Sequence, residues 1–238
     1  MPGMAGTVTD QAPLQTDIEC VLFDLDGTLV DTATDFVQVL NVMMDEEGVS
    51  RTPESRIRQT VSDGARGLVR LAFGGEPGEA DFDRRLERLL TLYFETLQQT
   101  RAEPYPGMDA LLAKLERAGV PWGVVTNKPE KYSLRLMENL RLHERCGVLI
   151  CPDHVANRKP DPEGLLLACK TLGCGTERSI YVGDHIRDMQ AAKNADLIAV
   201  AAAYGYLGEN DHIDQWQADF VIHAAADLEP LLGIMKFR

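Results

Sequence analysis

Ile18-Glu19-Cys20-Val21-Leu22-Phe23-Asp24-Leu25-Asp26-Gly27-Thr28 is an apolar run of strand length that stops at two acids two positions apart, a glycine and a threonine. A short apolar run bounded by polar residues reads as a strand buried on both faces, the pattern of a parallel sheet. The strand period of two points Asp24 and Asp26 to one side. Open α/β sheets take their ligands beyond the carboxyl ends of the strands, which is where this pair sits. Gly27 permits a sharp turn, and Thr28 brings a hydroxyl and a backbone donor beside the acids. The same residues also suit an ordinary hydrogen-bonded turn, because Asp, Gly and Thr all favour turns. The other strand ends decide between the two.

Beyond the pair the chain changes character. Residues 33–103 are rich in Leu, Arg and Glu, with helical periodicity and few strand signals. Phe82, Leu86, Leu89, Leu90, Tyr93, Phe94 and Leu97 fall three and four apart and give one apolar helix face. Pro104-Tyr105-Pro106-Gly107 punctuates the return, after which strands and helices alternate as βαβ units with right-handed crossovers. Strands are expected at 121–126, 147–151, 179–183, 197–201 and 219–222, and helices at 108–118, 130–141, 162–172, 186–195 and 225–232. The expected fold class is α/β: a doubly wound parallel, Rossmann-like sheet with an all-helical domain inserted after its first strand. The core then comprises 18–32 and 104–238, the helical cap 33–103, and residues 1–17 form a flexible N-terminal segment.

Length and charge narrow the partners. With 238 residues the chain can bury a core without disulfide or metal staples. Its 24 basic and 37 acidic residues give a formal charge of −13, which repels nucleic acid and anionic membrane at long range. An anionic small molecule must therefore be held by local positive charge. No apolar run approaches the ~18 residues of a membrane span, and the start lacks the pattern of a signal peptide, so a cytoplasmic location is expected. Five cysteines without a C-x-x-C pair read as reduced core thiols.

The remaining strand ends also carry polar groups. Thr126-Asn127-Lys128-Pro129 closes one strand with a hydroxyl and an amide suited to phosphate oxygens, though Thr or Asn ahead of Pro129 equally suits a helix cap. Lys159-Pro160-Asp161-Pro162 opens a helix with an ammonium able to meet phosphate and to offset crowded carboxylates. Gly183-Asp184-His185-Ile186-Arg187-Asp188 follows an apolar strand, with acids four apart, about one helical turn. His185 reads as a hydrogen-bonding helix-start residue rather than a base. Acid pair, hydroxyl, amine and acid pair thus arrive in order at four element boundaries.

In these motifs the chain resembles the haloacid dehalogenase superfamily of phosphohydrolases over about residues 18–232. That resemblance implies Asp24 as the nucleophile that becomes an aspartyl-phosphate and Asp26 as general acid and then base. It implies Thr126 and Lys159 as further catalytic groups, with Gly27, Thr28, Asn127 and Lys159 around the phosphate. A Mg²⁺ cofactor is implied, held by Asp24, Asp184 and the backbone carbonyl of Asp26, and oxygen-only ligation suits that ion. Asp188 is implied as a supporting acid, beside the metal or fixing Lys159. Ser62-Asp63-Gly64-Ala65-Arg66-Gly67 interrupts the helical periodicity and resembles the substrate-facing loop of helical-capped relatives. There Arg66 suits a substrate carboxylate or a surface ion pair. The expected activity is a Mg²⁺-dependent phosphatase acting on a small carboxylate-bearing phosphate ester, most similar to phosphoglycolate phosphatases. An N-acetylmuramic acid 6-phosphate phosphatase is the close alternative, and a sugar phosphomutase of the same fold a more distant one. The expected partner is that small ester alone, and monomer and homodimer both stay open.

Overall fold

The computed structural model describes residues 17–209 and 211–232. The segment expected over 1–17 lies, apart from Asp17, outside the described residues. In chain order the elements are β1 (Cys20–Phe23), β2 (Val30–Asp31), α1 (Ala33–Glu47), α2 (Glu54–Thr60), α3 (Gly64–Phe73), α4 (Ala80–Thr96) and β3 (Glu103–Pro104). They continue with α5 (Met108–Arg117), β4 (Trp122–Val125), α6 (Glu130–Asn139), β5 (Leu149–Ile150), α7 (Glu163–Leu172) and β6 (Ser179–Gly183). The last are α8 (Ile186–Asn194), β7 (Ile198–Ala202), β8 (Phe220–Ile222) and α9 (Leu228–Leu231).

Six strands form one sheet in the order β5-β4-β1-β6-β7-β8, and every neighbouring pair is parallel. β1 is fully buried, as its unbroken apolar run requires when helices cover both faces. Val21 and Phe23 point to the layer holding Leu111 and Leu115 of α5, Leu136 of α6 and Leu231 of α9. Cys20 and Leu22 point to the other, with Leu165 of α7 and Met189 of α8. From β1 the chain winds through β4 to the edge strand β5, then returns to β6 on the other side of β1. The carboxyl ends of β4, β1 and β6 thus lie side by side at the point where the winding reverses, the crevice where such sheets bind ligands. All five cysteines are free thiols. Among the described residues no helix is long and apolar enough to cross a membrane.

The helical stretch between β2 and β3 builds its own apolar contacts. Phe36, Val39, Leu40 and Met43 of α1 are buried with Ile57 of α2, Leu68 of α3, and Phe82, Leu89 and Tyr93 of α4. Phe94, on the same predicted face of α4, instead turns to the sheet domain and meets the Tyr132 ring of α6 edge-on at 6.0 Å. The chain leaves and re-enters the sheet domain through a two-stranded antiparallel ribbon of Val30–Asp31 and Glu103–Pro104. The helix expected over 225–232 begins as a 3-10 turn, Ala225–Asp227, and continues as the short α9. There the Asp227 carboxylate accepts from the N–H groups of His223 and Ala224 at 2.9 and 3.0 Å, which tightens the first turn.

Truncation of Leu22 to Ala should cost about 2–5 kcal/mol in urea denaturation, since its fully buried side chain has no room to be replaced by solvent. The same change at Leu166, 44% exposed, should cost under about 0.5 kcal/mol.

Candidate active site

Asp24 follows β1 directly, and its N–H donates to Val182 O of β6 at 2.9 Å, so the sheet itself fixes the base of this side chain. Asp184 follows β6, and Asp188 lies in the first turn of α8. Carboxylate oxygens of Asp24, Asp184 and Asp188 lie within 4.8 Å of one another, all buried. Lys159, ahead of α7, reaches in from the side. Its Nζ stands 3.0 Å from Asp24 Oδ1 and 2.8 Å from Asp188 Oδ1, and donates to Val125 O at 3.0 Å and Tyr181 Oη at 2.6 Å. Burial alone would lower the Lys159 ammonium, but Asp188 and Asp24 outweigh it and hold the group above its ordinary range.

Asp184 is packed by backbone as much as by side chains. Gly27 has φ of +80°, and a Cβ there would meet Asp184 Oδ2 at 2.1 Å; one on Gly205 would meet Asp184 Cβ at 2.3 Å. Thr28 Oγ1 donates to Asp184 Oδ1 at 3.3 Å, while Ser62 Oγ and the Tyr206 N–H donate to Oδ2 at 3.0 and 2.9 Å. Burial, reinforced by the charges of Asp24 and Asp188, pushes the Asp184 carboxyl from its ordinary 3.8 up to about 7.

The two-residue strand period does not account for the Asp24 and Asp26 pair, because β1 ends at Phe23. A tight loop carries Asp26 instead: Gly27 N–H donates to Val30 O at 3.0 Å and Val30 N–H to Leu25 O at 2.9 Å. Asp26 Oδ1 accepts from Thr32 Oγ1 at 2.6 Å and Lys128 Nζ at 2.8 Å. Its carboxylate stands apart from the buried trio, which leaves its backbone as the part expected to face a metal. Thr126 sits at the end of β4, its Oγ1 accepting from Lys128 N–H at 3.2 Å. Asn127 fixes the backbone of the lysine: its Oδ1 accepts from Lys159 N–H at 3.1 Å and one of its two Nδ2 N–H bonds points to Lys159 O at 3.0 Å. Arg66, in the first turn of α3, is exposed. Asp188 pairs with Lys159 through Oδ1, and its Oδ2 accepts from His185 N–H at 3.1 Å, closing the start of α8. His185 Nδ1 accepts from Arg187 N–H at 3.1 Å, the helix-start role expected for it.

Four residues make contacts that the sequence motifs did not assign to them. Ser62 touches Asp184 from the helical segment, and Arg187 donates to the Ser62 carbonyl. Tyr206 Oη accepts from the N–H groups of Thr32 and Ala33 at 2.6 and 2.9 Å, and donates to Asp31 Oδ1 at 2.7 Å. Lys128 pairs with Asp26. Ser62, Arg187 and Lys128 each stand within a stretch quoted above, whereas the contacts they make join segments far apart in the chain.

A family model described as haloacid dehalogenase-like hydrolase matches residues 21–202. The chain belongs to that family. Among its curated relatives is the N-acetylmuramic acid 6-phosphate phosphatase of Pseudomonas aeruginosa, 40% identical over 215 residues, covering 90% of this chain and 95% of the relative. The phosphoglycolate phosphatase of Xanthomonas campestris pv. campestris is 39% identical over 212 residues, covering 87% and 93%. Among solved structures, a predicted phosphoglycolate phosphatase from Haemophilus somnus superposes with a TM-score of 0.80 at 25% identity, covering 93% of this chain and all of that one.

In this hydrolase the donor set suits a hard divalent cation. Three buried carboxylates face one ammonium, and every ligand atom they offer is oxygen.

The pH dependence of stability follows from these groups. Asp184 holds its proton in the fold up to about pH 7 but loses it near 3.8 when unfolded, so its stabilising protonation is complete below about pH 4 and lost as pH rises through 7. His185 runs the other way: burial lowers it from 6.5 to about 4, so stability rises across that window. Comparing Tm for metal-free wild type and Asp184→Asn cancels the histidine. The variant should gain on wild type steadily from pH 4 to 7, and a constant difference would contradict the assigned environment of Asp184.

Proposed function

We propose that this hydrolase is a Mg²⁺-dependent phosphomonoesterase acting on a small phosphate ester that also carries a carboxylate. The observation that carries this reading is the mounting of Asp24. Its Oδ1 accepts from Leu25 N–H at 2.8 Å and faces Lys159, while among the described residues Oδ2 has no hydrogen-bond donor. A carboxylate anchored through one oxygen and open at the other is suited to attack phosphorus in line with the departing oxygen.

In the first step the Asp24 Oδ2–phosphorus bond forms and the ester P–O bond breaks, with Asp26 giving its proton to the leaving oxygen. In the second, Asp26 takes a proton from water, whose oxygen attacks phosphorus and frees Asp24. Lys159 and the Thr126 hydroxyl bind the phosphoryl oxygens, and the N–H groups about Gly27 and Thr28 line the turn beneath them. Asn127 acts on phosphate through Lys159. Asp24, Asp184 and the Asp26 carbonyl would hold the ion, with Asp188 beside them, and when bound it would offset the charge of phosphate against the carboxylates. The helical segment 33–103 serves as a cap, and Arg66 at the start of α3 pairs with the substrate carboxylate.

Phosphoglycolate and N-acetylmuramic acid 6-phosphate both meet this description. The second is supported by the likeness to the Pseudomonas aeruginosa phosphatase. Side-by-side kcat/KM values rank them, and poor turnover of both would refute the substrate class. Inorganic phosphate is the expected product; an isomerised sugar phosphate in its place would indicate a mutase. Asp24→Asn should lower kcat by at least about 10³-fold with the fold intact. EDTA should stop turnover and added Mg²⁺ restore it. Arg66→Ala should raise KM for the carboxylate esters by roughly tenfold and leave p-nitrophenyl phosphate unchanged. Undiminished phosphate release by Asp24→Asn would refute the nucleophile.

A further inference from the structure

We propose that Lys128 and Tyr93 are positioning residues that make proton donation by Asp26 depend on the seating of the helical cap. The inference rests on the role given to Asp26 above and concerns what aligns it.

Lys128 leaves β4 and is buried to 8% side-chain exposure at the seam between sheet domain and cap. An ammonium is costly to bury unless its donors are matched. Here Nζ donates to Asp26 Oδ1 at 2.8 Å and Tyr93 Oη at 2.7 Å. It also lies 5.1 Å from the Phe36 ring centroid and 4.5 Å from that of Tyr93. Those two rings stack on each other at 4.2 Å. Apart from Asp26, then, the groups that hold the ammonium come from α1 and α4, and both helices belong to the cap.

The second donor to Asp26 Oδ1 is Thr32, at the base of α1. With two donors on Oδ1, Oδ2 is left without a protein partner among the described residues. The seated cap thus fixes both the rotation of the carboxyl group and which oxygen is left to meet the leaving group. If the cap lifts, Lys128 loses the phenol and both ring faces. Its flexible four-carbon stem then returns to solvent. Asp26 keeps only Thr32.

A misaligned acid slows ester cleavage in proportion to how much the leaving oxygen needs a proton. As the bond from Asp24 to phosphorus forms and the ester bond breaks, a nitrophenolate can depart unprotonated, whereas a more basic oxygen cannot. The test compares kcat/KM for 2,4-dinitrophenyl, p-nitrophenyl and phenyl phosphates, which reports the steps up to phosphoenzyme formation.

Tyr93→Phe keeps the ring stack and removes one oxygen. It should lower kcat/KM for phenyl phosphate roughly tenfold and for the dinitrophenyl ester less than about twofold. Lys128→Met should give about 10²-fold on phenyl phosphate with a similarly small effect on the dinitrophenyl ester, and Lys128→Arg should recover part of that loss. An equal loss across the three esters, or none, overturns the proposal. If Lys128→Met does not fold, Tyr93→Phe decides alone. Absence of turnover by the wild type on every ester would instead overturn the phosphatase reading.

Discussion

One ammonium set among three buried carboxylates constrains the rest of the molecule. Lys159 Nζ touches Asp24 and Asp188 at 3.0 and 2.8 Å, and Asp184 lies within the same cluster with no cationic partner of its own among the described residues. Burial first, and then the charges of Asp24 and Asp188, push its carboxyl up to about 7. The sequence tolerates that cost through close packing: Gly27 and Gly205 leave no space for a side chain against Asp184, and Thr28, Ser62 and Tyr206 supply donors.

The cap is fastened to these acids and not merely set over them. Ser62 donates to Asp184, and Arg187, between Asp184 and Asp188 in the chain, holds the Ser62 carbonyl. On the hinge side, Arg58 of α2 pairs with Asp31 at 2.5 Å, and Asp31 accepts from Tyr206, whose N–H in turn binds Asp184. Two routes therefore connect helices of the inserted segment to one carboxylate. A change in the charge of Asp184, by protonation or by a cation, acts on both at once.

Asp24, Lys159, Asp184 and Asp188 were legible because each stands at a strand end or helix start, where sequence spacing alone limits where a side chain can go. Asp26 was legible by residue type, while the reason given for its placement was wrong: a loop closed by Gly27 and Val30, not strand alternation, brings it to the site. What stayed hidden depends on partners far away in the chain. Tyr206 binds Thr32 across 174 positions, and Ser62 meets Asp184 across 122. No local period encodes either contact. Phe94 shows the same limit, since helical periodicity places it on one apolar face of α4 without saying that this residue meets Tyr132 of α6. Asn127 spends its Oδ1 and one amide N–H on the Lys159 backbone, a contact across 32 positions that spacing does not reveal.

The two acids proposed to do the chemistry are mounted alike, each held through Oδ1 and open at Oδ2, yet the lysines that hold them differ in kind. Lys159 is gripped by Asp188, Val125 and Tyr181, all within the sheet domain, so the orientation of Asp24 does not depend on the cap. Lys128 is gripped by Tyr93 and faced by Phe36, both from the cap. A nucleophile set by the sheet alone remains ready for phosphate whenever the crevice is open. A proton donor that needs the cap is complete only once the cap has enclosed the ester and excluded bulk water. That division lets the fold keep attack geometry permanent while making release of the leaving group conditional on what fills the space beneath the cap.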